Sequence, residues 1–203
     1  MNVGFISLGC SKNLVVTEEV IGLFKKHNFT VVNNEKDADI IIINTCGFIE
    51  SAKQEAIDTI LEMAEYKKGR CKYLIAMGCM VERYEEEMKK ALPEVDLFIK
   101  ISEYNKIWSK ISDLLKLNEP NACMQWEDRV ITTGSTMAYL KIAEGCSNHC
   151  TYCAIPYIRG PFVSRKMEDI LEEIVGNIED EHDEEEQLIR KNPDGSYLMN
   201  GSA

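Results

Sequence analysis

Ala38-Asp39-Ile40-Ile41-Ile42-Ile43-Asn44-Thr45-Cys46-Gly47 decides the fold of this chain. Residues 38–44, with four isoleucines in a row, predict a strand buried on both faces, as in a parallel sheet covered by helices. Working outward, residues 2–8 give an apolar run ending in Gly9-Cys10, and 72–77 give another ending in Gly78-Cys79. Residues 29–32 and 95–101 read as further strands. Helical periodicity fills the gaps. Asn13 is placed to cap a helix carrying Val16, Val20, Leu23 and Phe24, and helices are predicted over 51–66, 80–92 and 104–117. Strands alternating with helices make the fold class α/β, an open parallel sheet flanked by helices over 1–117.

The periodicity stops over 118–136, which reads as a linker. A strand over 137–142 then opens a second unit, and a helix over about 167–178 follows. The net charge of −11 is concentrated at one end: residues 1–167 hold 21 Lys and Arg against 22 Asp and Glu, and residues 168–203 hold 2 against 12. No dense basic stripe marks a nucleic-acid face, so nucleic acid is not expected as a partner. No run of 18 apolar residues and no leader-like start is present, so the expectation is a cytoplasmic protein without membrane contact. In that compartment eight cysteines point to metal rather than to disulfides.

Gly145-Cys146-Ser147-Asn148-His149-Cys150-Thr151-Tyr152-Cys153 places three thiols at C-x3-C-x2-C spacing, close enough for one loop to aim all three at one centre. Soft thiolates select zinc, copper(I) or iron–sulfur clusters. A zinc site would need closing by His149 or a distant cysteine. A 4Fe–4S cluster on three cysteines instead leaves one iron open to a small molecule. A second set is predicted from topology. Cys10, Cys46 and Cys79 each follow a strand and precede a helix, so all three fall on the carboxyl edge of the sheet, where ligands bind. The alternative is three structural core cysteines. Cys71 precedes its strand and belongs at the opposite edge; Cys123 lies in the linker, and neither is expected to be a ligand. His27, His149 and His182 are far apart in sequence and read as surface residues; Arg159 and Arg165 could serve a substrate but read first as solvated charge.

The Cys146–Cys153 loop resembles the signature of radical S-adenosylmethionine (SAM) enzymes. With Ser7-Leu8-Gly9-Cys10-Ser11-Lys12-Asn13, Asn44-Thr45-Cys46-Gly47-Phe48 and Gly78-Cys79, the chain from residue 1 to about 170 resembles the methylthiotransferases of that class. Gly-Cys-Ser-Lys-Asn and Cys153-Ala154-Ile155-Pro156-Tyr157-Ile158-Arg159-Gly160 are most similar to the RimO type; Val16-Thr17 departs from the Asp-Ser pair common there. The resemblance implies two 4Fe–4S clusters, one on Cys10, Cys46 and Cys79 and one on Cys146, Cys150 and Cys153, with Tyr152 beside SAM. It implies that SAM bound at the open iron is cleaved by one electron to a 5′-deoxyadenosyl radical that removes an unactivated hydrogen. The other cluster supplies sulfur and a second SAM the methyl group. The implied substrate is an aspartate of a small-subunit ribosomal protein, and the implied partner an electron donor such as flavodoxin or ferredoxin.

On this resemblance residues 1–117 are the methylthiotransferase N-terminal domain and 137–175 the truncated start of a radical-SAM (β/α) barrel, which needs about 200 residues. Residues 176–203 are an acidic tail. The stretch from Glu168 to Glu186, with Pro193-Asp194-Gly195-Ser196-Tyr197, resembles the start of a CorC/HlyC-type transporter-associated domain, with a junction near 167–175. The expectation is an incomplete, inactive enzyme with 137–203 poorly packed and 179–192 mobile. Other readings are a transfer-RNA (MiaB-like) methylthiotransferase fragment and a non-catalytic metal-binding or transporter-associated module.

Overall fold

The computed structural model describes residues 1–117, 122, 124–134 and 136–175, and the backbone of 189–191 and 197–199. Cys123, His182 and most of the acidic tail, with its expected mobility, lie outside the described residues. Two compact units are formed, Met1–Lys166 and Met167–Ala203.

In the first unit β1 (Asn2–Ser7), α1 (Ser11–Lys26), β2 (Thr30–Val32), β3 (Ile40–Thr45), α2 (Glu50–Ala64), β4 (Tyr73–Gly78), α3 (Cys79–Ala91), β5 (Leu97–Ile99) and α4 (Ile107–Leu115) follow in order. The strands form one parallel sheet in the order β2-β1-β3-β4-β5. The isoleucine run is its central strand, and side chains alternate across it as the strand period requires. Ile41 and Ile43 join Ala56, Ile60, Leu74 and Met88 in one core layer. Ile40 and Ile42 join Val20, Phe24, Met77, Trp108 and Ile111 in the other. Each isoleucine so enclosed contributes about 1.5–3 kcal/mol of apolar burial before conformational entropy is set against it.

Two local expectations are corrected. Residues 137–142 form no strand. The only pairing in that region among the described residues is β6 (Ala143–Glu144) with β7 (Val163–Ser164), an antiparallel hairpin two residues wide. A barrel strand needs a parallel neighbour to satisfy its backbone, and none is described alongside 137–142. Asn13 is not the cap of α1; Cys10 holds that position, and Asn13 is buried inside the first turn. The described part of 118–136, read as a linker, lies along α1. Arg129 donates to the fully buried Glu18 at 2.6 and 2.9 Å, and Thr132 donates to the same carboxylate from its amide and hydroxyl. Lys26 holds Asp128 at 2.7 Å. Farther on, α5 (Ile155–Arg159) follows the second cysteine loop.

The second unit contains α6 (Met167–Val175) and an antiparallel pair, β8 (Ile189–Lys191) with β9 (Tyr197–Met199).

Candidate functional site

The strand order puts β1, β3 and β4 side by side, so the turns after them share one edge of the sheet. Cys10 stands immediately before α1, Cys46 immediately after β3, and Cys79 is the first residue of α3. Cys71 sits before β4 at the opposite edge, buried in the core. The turns are tight. Gly9 has φ of +90°, and a Cβ there would lie 2.6 Å from Cys46 Cβ and 2.9 Å from its Sγ, so the first turn closes onto the second. Gly78 has φ of +102°, and a Cβ would come within 2.6 Å of Thr45 O. Both positions demand glycine on conformational and steric grounds.

Asn13 is the hub of this edge. Its Nδ2 donates to Leu8 O at 2.8 Å and Thr45 O at 3.2 Å, clamping the ends of β1 and β3. Its Oδ1 accepts from Cys79 Sγ at 3.6 Å and from Arg159 Nη2 at 2.6 Å. Asn44 Nδ2 donates to Asn13 O at 2.9 Å and to Thr17 Oγ1 at 3.1 Å. The Thr17 hydroxyl, where this chain departs from the RimO pattern, is thus built into the network.

Arg159 is not a solvated charge. It is 8% exposed, donates to Cys79 Sγ at 3.3 Å, and its Nη1 donates to Glu144 Oε1 at 2.9 Å. Burial pushes the Cys79 thiol up, the Arg159 charge and hydrogen bond pull it back, and charge on Cys46 or Cys10 pushes it up again; the net shift is upward. Burial would raise the Glu144 carboxyl, but Arg159, Lys12 and Lys141 outweigh it and hold it below the ordinary range. Arg165 is also engaged, donating to Lys141 O at 2.9 Å and standing over the Trp126 ring.

The second set is placed differently. Cys146, Cys150 and Cys153 lie on the irregular loop between β6 and α5, with Cys150 exposed and the other two half-buried. Cys146 N donates to Gly160 O at 3.1 Å and Cys153 N to Cys150 O at 3.1 Å. Lys12 Nζ donates to Ala143 O at 3.2 Å and stands 3.6 Å from Glu144, mounting the loop on α1. Tyr152 is 87% exposed. His149 is exposed too, and His27 is half-buried and stacked on Trp108. A cleft of about 310 Å³, lined by residues including Ser11, Lys12, Tyr139, Ile142, Gly145 and Phe162, runs next to Cys10 and Cys146 in sequence. The apolar cleft of about 330 Å³ between α2 and α3 is lined by none of the six cysteines.

Among the described residues no three His, Cys, Asp or Glu side chains are grouped to hold a single metal ion. A cubane cluster makes a looser demand, because each thiolate binds a different iron. The donor chemistry of both sets fits such a cluster. Two of the first three cysteines also stand at helix N-termini, where unsatisfied amides and the helix dipole favour anionic sulfur. Sequence reasoning missed Asn13, Glu144 and Arg159. The available signal was a lone arginine closing the otherwise apolar Ala154-to-Ile158 run, and an acid directly before Gly145-Cys146.

Residues 2–100 match the family described as "Uncharacterized protein family UPF0004". The chain is 68% identical over 174 residues to the "Ribosomal protein uS12 methylthiotransferase RimO" of Alkaliphilus oremlandii, covering 85% of this chain and 40% of that protein. It is 50% identical over 185 residues to the protein of the same name in Acetivibrio thermocellus, covering 84% and 41%. A third, from Clostridium botulinum, is 50% identical over 180 residues, covering 84% and 40%. The chain therefore spans about two fifths of the length of these relatives.

Proposed function

Because this chain is homologous to the RimO-type methylthiotransferases, we propose that it is the cluster-bearing part of an enzyme that methylthiolates ribosomal protein uS12. The substrate comes from the relatives' names, which also favour a protein over a transfer-RNA target. On this reading residues 1–117 are the methylthiotransferase N-terminal domain and 137–175 begin a radical-SAM domain. The work is done in the cytoplasm with a small electron-transfer protein as donor; no described helix is long and apolar enough to cross a membrane.

The observation that carries the reading is the meeting of three strand-end turns, each with its cysteine, on one edge of a parallel sheet. Cys10, Cys46 and Cys79 would hold one 4Fe–4S cluster, and Cys146, Cys150 and Cys153 the other. When bound, the clusters and SAM would supply the electron, radical, sulfur and methyl chemistry that no side chain can. The protein's part is positioning. The sheet fixes the first three thiolates, Asn13 ties the turns together, and Lys12 with Arg159 fixes the start of the second loop. Tyr152 would lie beside SAM.

Anaerobic reconstitution with iron and sulfide tests this. Two cubanes require about eight irons per chain, and Cys79→Ala or Cys146→Ala should each leave about half. One zinc per chain and no sulfide would instead support a single-ion site and reject the enzyme reading.

A further inference from the structure

One buried cation joins the two cysteine sets. Arg159 closes α5 with only 3% of its side chain exposed. One nitrogen, Nη2, reaches Asn13 Oδ1 at 2.6 Å and Cys79 Sγ at 3.3 Å. The other, Nη1, reaches Glu144 Oε1 at 2.9 Å. Glu144 is the last residue of β6, directly before Gly145-Cys146, and the next residue after Arg159, Gly160, accepts the Cys146 amide at 3.1 Å. The two ends of the second loop and a sulfur of the first set thus meet at a single guanidinium. A planar fork of five donors can serve all these acceptors at fixed angles; a lysine ammonium cannot.

The burial has a chemical consequence. Glu144 already has Lys12 at 3.6 Å, so it does not need a second cation taken out of water. Desolvating a guanidinium costs several kcal/mol unless strong acceptors offset it. A neutral thiol is a weak acceptor, whereas a metal-bound thiolate is an anionic one. Hydrogen bonds to cluster sulfurs are among the factors that set cluster reduction potential.

Resting on the assignment of the six cysteines as cluster ligands, we propose that Arg159 is a positioning residue that donates to the Cys79 ligand sulfur, raises the reduction potential of the first cluster, and holds the second loop in place through Glu144. The hydrogen bond and the positive charge both favour the more negative, reduced state.

Arg159→Met and Arg159→Lys in the 203-residue chain test it. Each protein is loaded anaerobically, its iron is counted, and the two cluster midpoints are followed by electron paramagnetic resonance during a redox titration. Arg159→Met should keep its iron, move one midpoint to lower potential and leave the other in place, and Arg159→Lys should restore part of the shift. Two unmoved midpoints, or two that move together, would overturn the proposal. If Arg159→Met sheds the first cluster, Arg159→Lys carries the comparison.

The cluster-free chain gives a second readout. Amide exchange over residues 143–146 should be about tenfold faster in Arg159→Met, equivalent to about 1.4 kcal/mol of lost anchoring. Unchanged exchange would remove the link between the loops. A wild-type chain that takes up no iron would sink the cluster assignment, and with it the potential; the exchange rates would still decide the link.

Discussion

Cys10, Cys46 and Cys79 stand on the ends of three adjacent strands, backed by two buried core layers. Cys146, Cys150 and Cys153 stand on an irregular loop between a two-residue strand and the short helix α5, and its Tyr152 is almost fully in solvent. The same thiol chemistry is thus fixed in two ways. The first set takes its geometry from backbone pairing, which the isoleucine strand enforces. The second takes it from a few polar contacts, chiefly Lys12, Glu144 and Arg159. A site of the second kind has little of its own to hold a substrate in register.

The largest expected effect follows from that difference. The reconstituted polypeptide, given reductant and SAM, should release no 5′-deoxyadenosine above a cluster-free control. Misplacing a reactant by about 1 Å costs on the order of 100-fold, and the exposed Tyr152 and the 137–142 segment, which forms no strand, offer little to fix SAM. Robust, protein-dependent release would erase the contrast and make the loop a finished site.

Next in size is the contact that lays residues 129–132 along α1. Arg129→Met takes the guanidinium away from the buried Glu18 carboxylate and leaves it to the Thr132 donors, which should cost about 3–5 kcal/mol in chemical denaturation. A loss below about 1 kcal/mol would mean that this segment is not anchored as described.

Ile42→Ala against Tyr152→Ala measures the contrast directly. The first opens a cavity in the central strand and should cost about 2–5 kcal/mol. The second removes an exposed ring and should stay within about 0.5 kcal/mol. Equal losses would show that the loop packs as the sheet does.

The smallest effect concerns pH. Arg70 and the Asn2 amide donate to Asp39 at the start of β3 and hold its carboxyl below the ordinary range. A lowered folded-state pKa stabilises the fold above the unfolded value of 3.8, and that contribution is lost as pH falls through the folded value. Asp39→Asn should therefore flatten the acid side of the stability curve by about 1 kcal/mol or less, since Arg70 is half-exposed. An acid-side loss of stability in Asp39→Asn as large as that of wild type, measured by denaturation above and below pH 3.8, would remove this pair from the account.

Much of this was legible in the sequence, because it depends on patterns with a short period. Ile40 to Ile43, the apolar runs before Gly9 and Gly78, and the helical stripes between them determine an α/β sheet with cysteines at its carboxyl edge. The spacing of Cys146, Cys150 and Cys153 determines a thiol-rich loop. What the sequence could not specify is which polar groups meet across long separations. Asn13 looks like a helix cap until its side chain is seen bridging Leu8 and Thr45. Arg159 looks solvated until it is found 146 residues away in sequence, against Asn13. Residues 137–142 look like a strand because local apolar pattern ignores whether a neighbour exists to pair with. Apolar periodicity is written locally, since each element must bury its own face. Hydrogen-bond partners and strand neighbours are supplied by other parts of the chain, so only the tertiary structure could decide them.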